Sequence, residues 1–186
     1  MINLLQIISG KYKGKKLAIP DGSRPTQQRT RGAVFNILNS IFAMSPAPSS
    51  VTVWDAFAGS GAMGIEFISR FGATAAIFTD TNPDAIKAII ENTKNIKDCK
   101  IIINQKDALN FTVPATESLV IFIDPPYSES KLGQKLIDKL GKTAAAGTII
   151  IWEFERNFKF LVNDSQFLVM KNKIYGRARF LIMTRT

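Results

Sequence analysis

The chain contains no histidine and a single cysteine, Cys99. Without histidine, Ser-His-Asp and Cys-His nucleophilic schemes, histidine general bases and the commonest transition-metal ligand are all excluded. One cysteine rules out an intramolecular disulfide and any multi-cysteine zinc site, and it fits a reducing compartment. No apolar run approaches the ~18 residues of a membrane span. The first residues lack the basic start and apolar core of a secretory signal, so a cytoplasmic protein is expected. Chemistry on this chain must therefore run on carboxylates, backbone groups, aromatic rings, lysines or a cofactor.

What remains is 186 residues, 46% hydrophobic and 21% charged, the profile of one domain with a sizeable core. The net charge of +9 sits at the two ends. Lys11, Lys13, Lys15, Lys16, Arg24, Arg29 and Arg31 face only Asp21 within the first 31 residues, and Lys171, Lys173, Arg177, Arg179 and Arg185 face no acid after residue 170. Two basic ends around a near-neutral middle suggest a surface for a polyanion such as nucleic acid.

Residues 4–19 alternate loosely around Gly10 and Gly14, which reads as a short hairpin with lysines at its tip. Ala33, Val34, Ile37, Leu38, Ile41 and Phe42 then mark one face of a helix, ended by the Pro/Ser-rich stretch 45–50. Beyond residue 50, strand candidates at 51–54, 75–79, 100–104, 119–123 and 148–152 alternate with helical patterns at 60–71, 83–96 and 130–141. This alternation predicts an α/β fold with a parallel sheet and helices on both faces. Residues 166–170 and 174–184 predict an antiparallel hairpin turning at Lys171-Asn172-Lys173.

Two motifs carry chemistry. After the apolar run 119–123 come Asp124, Pro125, Pro126 and Tyr127. A carboxylate and the Pro125 carbonyl, held by two stiff residues, can accept both hydrogens of an exocyclic amine while the tyrosine ring covers a planar base. The second motif runs from Asp55 through Phe57, Ala58, Gly59, Ser60 and Gly61 to Gly64, a strand entering a Gly-rich turn that opens a helix. Its G-x-G-x-x-G spacing also matches a dinucleotide fingerprint. Asp55 argues against that, because a carboxylate there would oppose a pyrophosphate yet could hold a cationic amino-acid moiety. Asp80, followed by Thr81, ends the second strand and can accept from ribose hydroxyls; Asp107, followed by Ala108, can accept from an adenine amine. Four acids at four strand ends describe a site for an adenosine bearing an amino acid.

This combination resembles the S-adenosylmethionine-dependent methyltransferases, and within them the bacterial 16S ribosomal RNA guanine-N2 methyltransferases of the RsmD type. The matching stretches are 7–17, 24–26, 29–31, 35–38, 55–61, 64–66 with Ser69-Arg70, 124–127 and Tyr175-Gly176. Two departures stand out: Gly32 where the family pattern usually has Glu, and Asp80 with Asn82 where it usually has Glu and Asp. The resemblance implies a Rossmann-like, seven-stranded, mostly parallel sheet with an antiparallel C-terminal hairpin. It implies one methyltransferase domain, with residues 1–45 as an RNA-binding extension and 51–186 as the S-adenosylmethionine-binding core. The expected partner is 16S RNA, within the 30S subunit or its assembly intermediate, and the expected state is a monomer with no metal. Asp124 and Pro125 would hold the amine, and the seven N-terminal cations would grip phosphates. A DNA adenine-N6 or cytosine-N4 methyltransferase, a protein glutamine methyltransferase and a non-catalytic RNA-binding assembly factor are the alternatives.

Overall fold

The computed structural model describes residues 5–21, 28–44, 50–112, 116 and 118–186. Arg24 and the Pro/Ser-rich stretch at 45–49 lie outside the described residues. Five parallel strands form the framework: β1 (Thr52–Asp55), β2 (Ala75–Asp80), β3 (Lys100–Gln105), β4 (Leu119–Ile123) and β5 (Ile149–Glu155). Two antiparallel strands, β6 (Phe167–Tyr175) and β7 (Ala178–Arg185), complete a seven-stranded sheet in the order β3-β2-β1-β4-β5-β7-β6. The helices are α1 (Gln28–Met44), α2 (Ala62–Phe71), α3 (Pro83–Thr93) and α4 (Ser130–Thr143).

The continuous apolar strands become central because both sheet faces are covered. All of β1 and β4 is buried. On one face Val53, Phe78, Phe122 and Ile151 pack with Phe35 of α1, Phe67 of α2 and Ile89 of α3. On the other, Trp54, Ile121 and Trp152 pack with Leu136, Ile137 and Leu140 of α4. Gly64 lets α2 lie close to the sheet, since a Cβ there would stand 2.5 Å from the Phe78 ring. Asn82 caps α3 by accepting from the Asp84 N–H at 2.9 Å, with Pro83 as the first helical residue.

One expectation about the hairpins needs correction. The C-terminal hairpin turns at Gly176-Arg177, and Lys171, Asn172 and Lys173 lie within β6. Gly176 has φ +59, the positive value needed at the first position of a tight two-residue hairpin turn, whereas the polar Lys-Asn-Lys run is an exposed stretch just after a bulge. The N-terminal hairpin forms as expected: beside the Gln6–Lys16 bridge, the Ile7 N–H donates to the Lys15 carbonyl (3.0 Å), the Gly14 N–H to the Ile7 carbonyl (2.9 Å) and the Leu17 N–H to the Leu5 carbonyl (2.9 Å), while its remaining polar groups bond α2 and α3.

Those contacts centre on Glu66, which has no solvent exposure. Its carboxylate accepts from the Ile8 N–H (2.8 Å), the Ser9 N–H (3.1 Å) and Arg70 Nε (2.6 Å), and it stands 3.6 Å from Arg31 Nε. Arg31 Nη2 also donates to the Gln6 carbonyl. Nearby, Ser69 Oγ donates to the Ser9 carbonyl at 2.6 Å and accepts from the Tyr12 N–H at 2.9 Å. Gly10, at φ +83, passes so close to α2 that a Cβ would collide with the Ser69 carbonyl. Gly32 is under no such constraint: a Cβ would meet Ile8 Cδ1 at 3.8 Å, ordinary contact.

Removing one partner of a buried ion pair leaves the other uncompensated. Glu66→Leu is therefore expected to destabilise the protein by about 3–5 kcal/mol, read as a lower urea midpoint with unchanged slope.

Candidate active site

Parallel strands end together, so one edge of the sheet collects the residues that come after each strand. Asp55 closes β1, Asp80 closes β2, Asp107 stands two residues after β3 and Asp124 comes directly after β4. Between neighbouring β1 and β4 the chain departs to opposite faces, into α2 and α4 respectively. That divergence opens the crevice in which open α/β sheets bind ligands.

Asp55 is only 2% exposed and accepts from the Gly64 N–H at 2.9 Å. Burial pushes its carboxyl up to about 8 against the pull of the Gly64 N–H, and the charges of Asp124 and Asp80 add to the push. Asp55 thus lies within electrostatic reach of both Asp80 and Asp124.

The Gly-rich loop is fixed from below. Gly59 and Gly61 take φ +53 and +76, and Gly59 has open space where a Cβ would be. Asp80 holds the loop by accepting from the Gly59 N–H at 2.8 Å, and its other oxygen accepts from the Asn82 N–H at 2.9 Å. Asn92 of α3 donates to the Ser60 carbonyl at 2.8 Å and bonds both backbone groups of Ala18, tying the N-terminal segment to the loop. Ala58, Ser60 and Gly61 are buried, Phe57 and Gly59 half-buried, and Thr81 exposed. Asp107 caps the short turn that starts at buried Ala108, accepting from the Leu109 N–H at 2.8 Å.

After β4, Pro125 is buried, Asp124 and Tyr127 are half-buried, and Pro126 is exposed. Tyr127 opens a single helical turn, residues 127–129, whose carbonyl at Tyr127 accepts from Ser130 Oγ at 2.8 Å. Gly133 of α4 supports this corner, for a Cβ there would lie 2.4 Å from Trp152 Nε1 and 3.4 Å from Pro125 Cγ. An open groove of about 530 Å³ continues from Tyr127 past Ser130, Lys131, Glu155, Asn157 and Phe158.

Glu153 is the site residue that sequence reasoning missed. It lies in β5, 6% exposed, and its Oε1 accepts from the Tyr127 hydroxyl at 3.0 Å. Burial pushes its carboxyl up to about 9, with the Asp124 charge adding to the effect. The available signal is a lone acid inside the apolar run Ile149-Ile150-Ile151-Trp152-Glu153-Phe154.

The lysines at the N-terminal tip lie away from this edge. Lys11 pairs with Asp98 at 2.7 Å and the Tyr12 hydroxyl donates to the same carboxylate. Asp98 precedes β3, so the basic tip lies at the strand-start edge, opposite the crevice. Lys11, Lys13, Lys16 and Arg29 are exposed and Lys15 is half-buried. Arg31 departs from the expectation altogether: it has no exposure and serves Glu66 and Gln6 inside the protein. Exposed Arg156 and Arg177 stand just beyond β5 at the crevice edge. The Arg156 N–H donates to the Arg177 carbonyl at 2.8 Å, and Arg177 pairs with Glu155 at 2.9 Å and is felt electrostatically by Tyr127.

Comparison with known proteins gives the same architecture a family. A relative named "Ribosomal RNA small subunit methyltransferase D", from Escherichia coli K12, is 31% identical over 71% of this chain and 65% of its own length. The alignment thus spans just under two thirds of that relative. "Putative rRNA methyltransferase YlbH" from Bacillus subtilis is 29% identical over 92% of this chain and 94% of its own. A solved structure, "Putative methyltransferase yhhF from Escherichia coli", superposes with a TM-score of 0.78 at 27% identity, covering 97% of each chain. The model of the family described as "Conserved hypothetical protein 95" matches residues 5–184, and the chain belongs to that family.

Proposed function

We propose that this protein transfers a methyl group from S-adenosylmethionine to the exocyclic N2 amine of a guanine in 16S ribosomal RNA, presented by the small subunit or its assembly intermediate. The observation that carries the reading is the meeting of Asp55, Asp80, Asp124 and Tyr127 around one crevice. The relatives named as ribosomal RNA methyltransferases support the RNA substrate, and no described helix is long and apolar enough to cross a membrane.

The residues fit the cofactor. Asp55 is a buried acid whose neighbours are other acids, an environment that calls for a cation, so it would hold the ammonium group. Asp80 spends one lone pair of each oxygen on the loop, and a carboxylate retains others for ribose hydroxyls. Asp107 and Ala108 would border the adenine, and the backbone from Phe57 to Gly61 would wrap the cofactor between them. When bound, S-adenosylmethionine supplies an electrophilic sulfonium methyl group.

An aromatic amine is a poor nucleophile because its lone pair is delocalised into the ring. Asp124 and the Pro125 carbonyl would accept its two hydrogens, draw the nitrogen toward tetrahedral geometry and aim the lone pair. Tyr127 would stack on the base and fix its plane. Positioning and preorganised acceptors then supply most of the acceleration. The amine of a paired guanine is out of reach of such a crevice, so the base is flipped out or lies in a loop. Arg156 and Arg177 would meet the nearest phosphates, and Lys13, Lys16 and Arg29, on the extension of residues 1–45, would meet RNA that continues round the α2 side. Each such contact weakens with added salt.

The direct test is incubation with labelled cofactor and unmodified 16S RNA, free and in subunits, and then digestion. Label in N2-methylguanosine is expected, and label in N6-methyladenosine would overturn the choice of base. Asp124→Ala should abolish transfer while cofactor affinity, measured by calorimetry, stays within about tenfold, or ~1.4 kcal/mol. A third outcome concerns pH. The ionised form of Asp55 attracts an ammonium group, and its midpoint is pushed up to about 8. Cofactor affinity should thus rise as pH increases from about 6 toward 8, by at most about tenfold per unit. Asp55→Asn should bind more weakly and lose that rise. The raised value also means that the cofactor-free protein loses stability as pH climbs from the ordinary carboxylate range through about 8.

A further inference from the structure

We propose that Glu153 is a positioning residue for methyl transfer: it holds the Tyr127 hydroxyl from inside the sheet and so sets the plane of the ring that covers the target base. The inference rests on the function proposed above.

The geometry is specific. Trp152 pairs with Ile123 across β4 and β5, so the next residues along, Glu153 and Asp124, are neighbours at the mouth of the crevice. Both lie on the sheet face opposite Trp152 and Ile123, because side chains alternate along a strand. Tyr127 belongs to a single turn after two prolines, an irregular corner with its ring half-buried. The far end of that ring is fixed by one strong contact, its hydroxyl on Glu153 Oε1 at 3.0 Å. A loop side chain thereby takes its orientation from a strand that is buried along Ile150–Phe154.

The acid type also matters. Burial pushes the Glu153 carboxyl up to about 9 and raises the Tyr127 hydroxyl as well. At neutral pH Glu153 is uncharged and accepts through its carbonyl oxygen, while Tyr127 keeps the proton that it donates. Beside Glu153 stands Asp124, the group that must accept from the amine. A neutral carbonyl is all the role demands, so glutamine should serve and leucine should not.

The test compares Glu153→Gln, Glu153→Leu, Tyr127→Phe and the double variant Tyr127→Phe/Glu153→Leu on an RNA that the unaltered protein methylates. Glu153→Gln should keep kcat within about threefold. Glu153→Leu and Tyr127→Phe should each lower kcat by about tenfold or more, with cofactor affinity by calorimetry and thermal midpoint close to those of the parent. The double variant should be no slower than the slower single one, because both changes break the same contact. Full activity of Glu153→Leu, additive losses in the double variant, or an activity loss in Glu153→Leu matched by lost cofactor affinity would each overturn the inference while leaving methyl transfer in place. Failure of the parent protein to methylate any RNA would instead sink the underlying function, and the inference with it.

Discussion

The buried carboxylate of Glu66 is the constraint on which the arrangement of this protein turns. It is the point at which three stretches far apart in sequence meet: the segment at Ile8 and Ser9, α1 through Arg31, and α2 through Arg70. An isolated buried carboxylate would be prohibitively costly, and here it is matched by two guanidinium groups and two backbone donors. Because α2 begins at the Gly-rich loop, whatever fastens α2 also fastens the crevice. Asn92 extends the same logic, joining Ala18 to the Ser60 carbonyl.

The crevice itself is organised by unfavourable proximity. Asp55 is deeply buried, and the charges of Asp124 and Asp80 add to the cost of ionising it. Such a site stores an electrostatic demand that a cationic ligand satisfies. Across the mouth, Glu153 resolves the same crowding in another way, by keeping its proton and presenting a carbonyl oxygen to Tyr127. Burial raises both Asp55 and Glu153, yet one faces a ligand site and the other a tyrosine hydroxyl.

Much of this is legible in the chain. The apolar run 119–123 is β4 to the residue, and the acids at strand ends are visible because each closes or closely follows a short apolar run. Other features are not. Arg31 reads as a surface cation because its partner, Glu66, is 35 positions away and nothing local marks the pair. Polarity points to Lys171-Asn172-Lys173 as the hairpin turn, whereas pairing of β6 with β7 is decided by the glycine at 176. Lysines at the N-terminal tip suggest a grip beside the chemistry, but charge says nothing about which sheet edge receives a segment; Asp98 decides that. Glu153 escapes notice since a single acid in a strand has no periodicity to betray it.

The docking of the N-terminal segment on α2 also orders events during synthesis. Residues 5–17 are made well before Glu66 and Ser69, their hydrogen-bonding partners some 57 to 60 positions later. Until α2 exists, Leu5, Ile7 and Leu17 have no core to enter, and the close passage at Gly10 has no surface to pass. Contacts of such long sequence separation form late and slowly. The emerging chain therefore exposes a basic, partly apolar segment before it has a fold, and that segment settles only after the first βαβ unit has been built.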